Sequence, residues 1–141
     1  MHATLVPVDG SKHARNALKY TITAAKEGHI TDIHIIHVMS EILPLGDLPL
    51  PDADLVQKSR QKQAMQVIKS ACNMLDKAGL TYTKHIEIGP IASSIVKHAK
   101  KHHCDSIIMG TRGMGALGNL VLGSTANQVI QLAKMPVTLV K

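Results

Sequence analysis

Gly110, Gly113 and Gly123, followed at once by Ser124 and Thr125, give the spacing Gly-x2-Gly-x9-Gly-Ser-Thr. Those residue types suit the capture of an anion. Ile107-Ile108-Met109 is a short apolar run that reads as a buried strand. After the glycines, Ala126, Val129, Ile130 and Ala133 recur at helical spacing. Thr125 with Gln128 three positions on predicts a capping box, so the helix is expected to begin at Ser124 or Thr125. Strand, glycine loop and helix start together form an anion site. Glycines permit positive φ and close backbone approach, and the free amides of a first helical turn point at the guest. Phosphate fits that description.

Two better-known glycine motifs overlap this stretch and fail. Gly113-x-Gly115-x-x-Gly118 spells a dinucleotide fingerprint, which needs an acidic residue about twenty positions on. Met135-Pro136-Val137-Thr138 occupies that region instead. Gly118 to Thr125 has P-loop spacing, but Ser124 stands where the lysine belongs, and Leu120-Val121-Leu122 is too apolar for a phosphate loop.

The elements that must position these residues alternate in type. Strands are expected over 3–9, 32–39, 81–88, 107–109 and 136–140, and helices over 12–27, 53–78, from Gly89-Pro90 through Ile91, Ile95 and Ala99 to His103, and from Ser124 onward. Ser11 is a plausible N-cap, and Gly28 and Gly79 end helices. The inner stripe of the second helix reads Met65, Ile68, Cys72 (or Ala71) and Leu75. Pro7 lies within the first strand, where it removes a ladder donor and predicts a local distortion. Residues 40–52 form a Pro- and Leu-rich connection, either a lid or a surface excursion, with the excursion favoured. Such βα alternation specifies a parallel sheet with helices on both faces, a three-layer α/β/α domain spanning 1–141.

Gly110-x2-Gly113-x9-Gly123-Ser124, its flanks Ile-Ile-Met-Gly-Thr-Arg-Gly and Met-Pro-Val-Thr-Leu-Val, and the opening Val-Pro-Val-Asp-Gly-Ser resemble the ATP-binding branch of the universal stress protein family. The resemblance reaches both ends of the chain. It implies a five-stranded sheet of order 3-2-1-4-5, the adenine nucleotide alpha hydrolase-like fold. That order sets the first and fourth strands side by side at a switch point, where ligands bind at strand carboxyl ends. Asp9 and Gly110 end those two strands.

By the same resemblance, Pro7, Val8, Asp9 and Val38 match adenosine-binding residues. Asp9 would accept hydrogen bonds from the nucleoside, and the Val38 backbone would meet the adenine edge. A turn or helix cap is the plainer role for Asp9, and core packing for Val38. Met109, Gly110, Arg112, Gly113, Gly123, Ser124 and Thr125 match ribose- and phosphate-binding segments. Arg112 is the one cation of the loop and pairs with phosphate or points to water. The implied ligand is ATP, with or without Mg2+. The family also implies a homodimer through the last strand and a protein partner that the sequence does not name.

Composition narrows the rest. The 141 residues carry no Trp or Phe and only two Tyr, so the core is aliphatic. A net charge of +6 invites a nucleic-acid reading, but the basic residues are scattered and stacking aromatics nearly absent. No stretch has the length of a membrane span, and residues 1–9 read as a strand and not a signal peptide, which points to the cytoplasm. Cys72 and Cys104 read as free thiols. His98, His102, His103 and Cys104 tempt a metal reading; the nearby Lys97, Lys100 and Lys101 argue instead for a solvated face at a helix end. His34 and His37, in a strand, read as partly buried structural residues.

No nucleophile stands beside a recognisable base, and no lysine is set for β/γ phosphates. The expected function is nucleotide binding as a stress-response switch. The alternatives are slow ATP hydrolysis or a ligand-free dimeric interaction module.

Overall fold

The computed structural model describes residues 2–41, 53–113 and 122–141. The connection after Glu41 and the loop interior with Gly115 and Gly118 lie outside the described residues. Nine elements follow in order: β1 (Ala3–Pro7), α1 (Lys12–Lys26), β2 (Asp32–Met39), α2 (Ala53–Lys77), β3 (Thr83–Ile88), α3 (Ile91–Lys101), β4 (Ser106–Gly110), α4 (Ser124–Leu132) and β5 (Val137–Val140). The strands form one sheet of order β3-β2-β1-β4-β5, and every pairing is parallel. The expected fold is the observed one.

Successive side chains of a strand alternate between faces, so each central strand feeds two cores. Val6, Val8, Ile33, Ile35 and Ile108 pack with Ala17 and Leu18 of α1 and with Ile68, Ala71, Cys72 and Leu75 of α2. Leu5, Ile36, Val38, Ile107 and Met109 pack against Ala92, Ile95 and Ala99 of α3 and Ala126 and Val129 of α4. Both layers are built from aliphatic side chains. The stripe expected for α2 needs one correction. Met65 is 61% exposed and Ala64 points inward in its place, because a helix advancing 100° per residue brings 64, 68, 71, 72 and 75 onto one side.

Pro7 produces no break in β1. It keeps its register opposite Ile36, and the Val8 amide donates to the Ile36 carbonyl at 2.8 Å. Amides along a strand alternate in direction, so the donor that Pro7 lacks would have faced β4. The β1–β4 ladder pairs Thr4 with Ser106 and Leu5 with Ile107, and so ends short of Pro7. Beyond it the two strands lead into different helices. That divergence opens the crevice.

Candidate functional site

Above the carboxyl ends of β1, β2 and β4, the chain encloses a cavity of about 370 Å³. The volume lies in the range of small-molecule sites. All eleven residues singled out above line it. Pro7, Val8 and Asp9 come from β1 and the turn after it, and Val38 from β2. Met109, Gly110, Arg112 and Gly113 follow from β4, and Gly123, Ser124 and Thr125 stand at the start of α4. Ile36, Ile91 and Ile95 complete an apolar wall. The sequence signal for Ile91 and Ile95 was there, in the inward stripe of α3, but their position over the site depends on the sheet order. Thr111, buried beside Gly110, also lines the cavity.

Asp9 is held in a definite pose. Its Oδ1 accepts the Ser11 amide at 2.9 Å, the turn-capping role that its position before a helix suggests. Its Oδ2 faces Gly113, where an added Cβ would stand 2.6 Å from that oxygen. The Ser11 hydroxyl then caps α1 by accepting the Ala14 amide at 3.2 Å. Behind Asp9, the His37 ring donates from Nδ1 to the Val8 carbonyl at 2.7 Å. This partly buried histidine fixes the strand end that carries the aspartate.

The three site glycines are needed for proximity and not for backbone handedness. Positive φ among the described glycines occurs at Gly10, Gly28, Gly79 and Gly89, so the expectation of positive φ is corrected for Gly110, Gly113 and Gly123. A Cβ at Gly110 would lie 2.7 Å from the His13 carbonyl carbon, so β4 can end against α1 only as glycine. At Gly123 a Cβ would meet Arg112 Cα at 3.3 Å, and the Gly123 amide donates to the Thr111 carbonyl at 2.7 Å. That bond draws the two ends of the glycine loop together.

Helix α4 starts at Ser124, as anticipated, but its N-cap is Gly123 and makes no side-chain capping bond. The Thr125–Gln128 capping box is therefore not the cap. Thr125 already lies inside the first turn, and its hydroxyl cannot serve the amides of a helix that begins before it. Ser124, Thr125 and Ala126 line the cavity at the positive end of the helix dipole, and Gly123 supplies no capping side chain. An anion is the complement of such a surface.

The histidines depart furthest from expectation. His98 is 3% exposed and hydrogen-bonds through Nδ1 to Glu87, and His34 is also buried. Rings of His34, His85, His98 and His102 pack together beneath the sheet's amino end, so the solvated-face expectation fails for His98 and His102. His85 lies on β3, and the parallel register that brings it beside His34 could not be read locally. Cys72 and Cys104 are free and buried. Burial, with the Asp32 and Asp105 carboxylates, pushes the Cys104 thiol up to about 11, which makes it a poor nucleophile.

A doubly wound parallel sheet with its cavity at the β1/β4 switch point is a ligand-binding architecture. A family model described as the universal stress protein family matches residues 1–141, and the chain belongs to that family. A universal stress protein of Methanocaldococcus jannaschii is 31% identical over 97% of this chain and 80% of its own length. Another, from Thermus aquaticus, is 32% identical over 97% and 96%. Among solved structures, a universal stress protein of Lactobacillus plantarum superposes with a TM-score of 0.80 at 21% identity, covering 99% of this chain and 97% of that one. Similar folds have been solved with a nucleotide. The Archaeoglobus fulgidus protein in complex with dAMP has a TM-score of 0.70 at 22% identity, covering 100% and 98%. An Arabidopsis thaliana protein with AMP bound has 0.72 at 18%, covering 100% and 92%.

Proposed function

We propose that this protein binds an adenine nucleotide, ATP first among them, in the crevice between Asp9 and the start of α4, and that occupancy sets its conformation or its choice of protein partner. One observation carries the reading. The first turn of α4, Ser124–Ala126, whose N-cap Gly123 makes no side-chain capping bond, lines a cavity whose other described walls include Asp9, Arg112 and aliphatic side chains. The nucleoside lies against Val38, Ile36 and Ile95, with its ribose hydroxyls toward Asp9. The phosphates lie along Gly113, Gly123, Ser124 and Thr125, and Arg112 adds the one cationic side chain among the described lining residues. The dAMP and AMP complexes of similar proteins support an adenine guest. Mg2+ would accompany a triphosphate by bridging its oxygens.

A thermal-shift titration with ATP, ADP, AMP and cyclic AMP, with and without Mg2+, tests this. ATP at about a hundredfold over its dissociation constant should add about 2.7 kcal/mol, a rise of a few degrees at this chain length. No shift with any of the four nucleotides would leave the ligand-free interaction module as the better reading.

The second part of the proposal is a homodimer through β5. All four residues of this edge strand are partly exposed, Val137, Leu139 and Val140 among them, and a bare apolar edge invites pairing. Sedimentation equilibrium should report a dimer at tens of micromolar, and Leu139→Lys should shift it to monomer. A wild-type monomer would refute the arrangement.

A further inference from the structure

We infer that His34, His85 and His102 form a binding site for a divalent late first-row transition metal ion, zinc being the ion this ligand set fits best. The site is at the opposite end of the sheet from the crevice and is independent of the nucleotide reading. One ring nitrogen from each of the three residues lies within 4.8 Å of the others. They come from β2, from the edge strand β3 and from the C-cap of α3. His34 Nδ1 and His85 Nε2 are 3.1 Å apart. Two imidazole nitrogens on a tetrahedral ion with bonds of about 2.0–2.1 Å would be separated by about 3.3 Å. Bringing His102 to the same spacing takes about 1.5 Å of ring movement, available to a half-buried side chain at a helix terminus.

The surroundings are those of a ligand set. His34 Nε2 lies 3.2 Å from Asp32 Oδ2. That carboxylate accepts the Nε2 proton and leaves the Nδ1 lone pair aimed at His85, the carboxylate–histidine arrangement that orients metal ligands.

A second, independent sign is His98. It is 3% exposed and its Nδ1 is taken by Glu87, yet its Nε2 is buried with no hydrogen-bond partner among the described residues. Its ring packs 4.1 Å from that of His85 and 4.2 Å from that of His102. Buried ring nitrogens ordinarily find a donor or acceptor, so the cluster is one polar partner short beside the triad, although this nitrogen is not one of the three that converge.

Of the lysines that seemed to exclude a cation, Lys101 acts on His102 through space, and all three point to solvent. Lys97, Lys100 and Lys101 are exposed on the outer side of α3, where water and salt screen them. Asp32 and Glu87 sit against the histidines themselves. Three imidazoles with a carboxylate behind them suit zinc, nickel or copper and not magnesium or calcium. Bound there, the ion ties edge strand β3 to β2 and to the end of α3.

The experiment uses untagged full-length protein freed of metal with a chelator and dialysed. Titrated with Zn2+ alone, it should take up one equivalent with micromolar or tighter affinity, and its melting temperature should rise by a few degrees. Co2+ in the same protein should give the intense visible bands of a tetrahedral nitrogen site. The His85→Gln/His102→Gln double variant should bind at least about a hundredfold more weakly, while His29→Gln, at the exposed end of α1, should bind like wild type. A wild-type protein without a stoichiometric zinc site, or with only weak octahedral Co2+ bands, overturns the assignment whether or not the variants fold. So does a folded double variant with wild-type affinity.

Discussion

The two ends of this sheet hold polar groups in different ways. At the carboxyl end, Asp9, Gly113 and the first turn of α4 surround open space. At the amino end, four histidine rings fill the space between β2, β3 and α3 with one another. His34 and Val38 lie on the same face of β2 and are separated by about 13 Å of strand, so neither region intrudes on the other. The crevice is assembled from segments that each end a strand or begin a helix, the positions where backbone amides are naturally unpaired. The cluster is assembled from side chains of β2, of the edge strand β3 and of the carboxyl end of α3, and it is the rings, not main-chain groups, that converge. The first region can accept a large ligand through main-chain groups, and the second only a guest as small as an ion.

The most severe way to break the first region without touching the second is Gly113→Val. A Cβ at Gly113 would lie 2.6 Å from Asp9 Oδ2, so the substitution displaces the aspartate and fills the space given to phosphate. ATP-dependent stabilisation should vanish while zinc uptake is retained. Next in size is Asp9→Ala. Losing a charged hydrogen-bond acceptor costs about 1.5–3 kcal/mol, so calorimetry should find ATP binding roughly 10- to 150-fold weaker. A dissociation constant unchanged by this variant would place the ribose elsewhere.

Gly110→Ala probes a different role in the same motif. Its Cβ would run into the His13 backbone, which cannot swing aside as Asp9 can. Overpacking of this kind costs about 1–3 kcal/mol, so a denaturant midpoint should fall even in the absence of nucleotide. If Gly110→Ala is as stable as wild type but fails to bind ATP, the division between a packing glycine and a binding glycine is wrong.

The contrast also accounts for what the sequence disclosed. β2 was legible at both bounds and α4 at its start, because periodicity and glycine punctuation are local. The carboxyl-end crevice was legible because its residues fall in two short motifs, one around Asp9 and one from Met109 to Thr125. The reason for its glycines was not, since close approach to His13 and Asp9 is a tertiary fact. The capping box misled because Gly123 is already the N-cap, so Thr125 falls inside the first turn. Met65 misled because Ala64, a weaker apolar signal, has the better angle on the α2 face. The histidine cluster was the least legible. His98 and His102 are four apart on one helix, but His85 reaches them only through the β2–β3 register that sets Ile36 opposite it and His34 two residues away. A lysine-rich helix end reads as solvated until the sheet beneath it is known.

The most direct test of the central claim follows backbone amides of the metal-free protein by heteronuclear NMR during an ATP titration. The account predicts that the amides of Asp9, Gly113, Ser124, Thr125 and Ala126 shift furthest and together. Those of His34, His85 and His102 should hardly move, and should respond instead when Zn2+ is added. Binding of ATP that leaves the Gly113 and Ser124–Ala126 amides in place, or that moves the histidine end most, would contradict it.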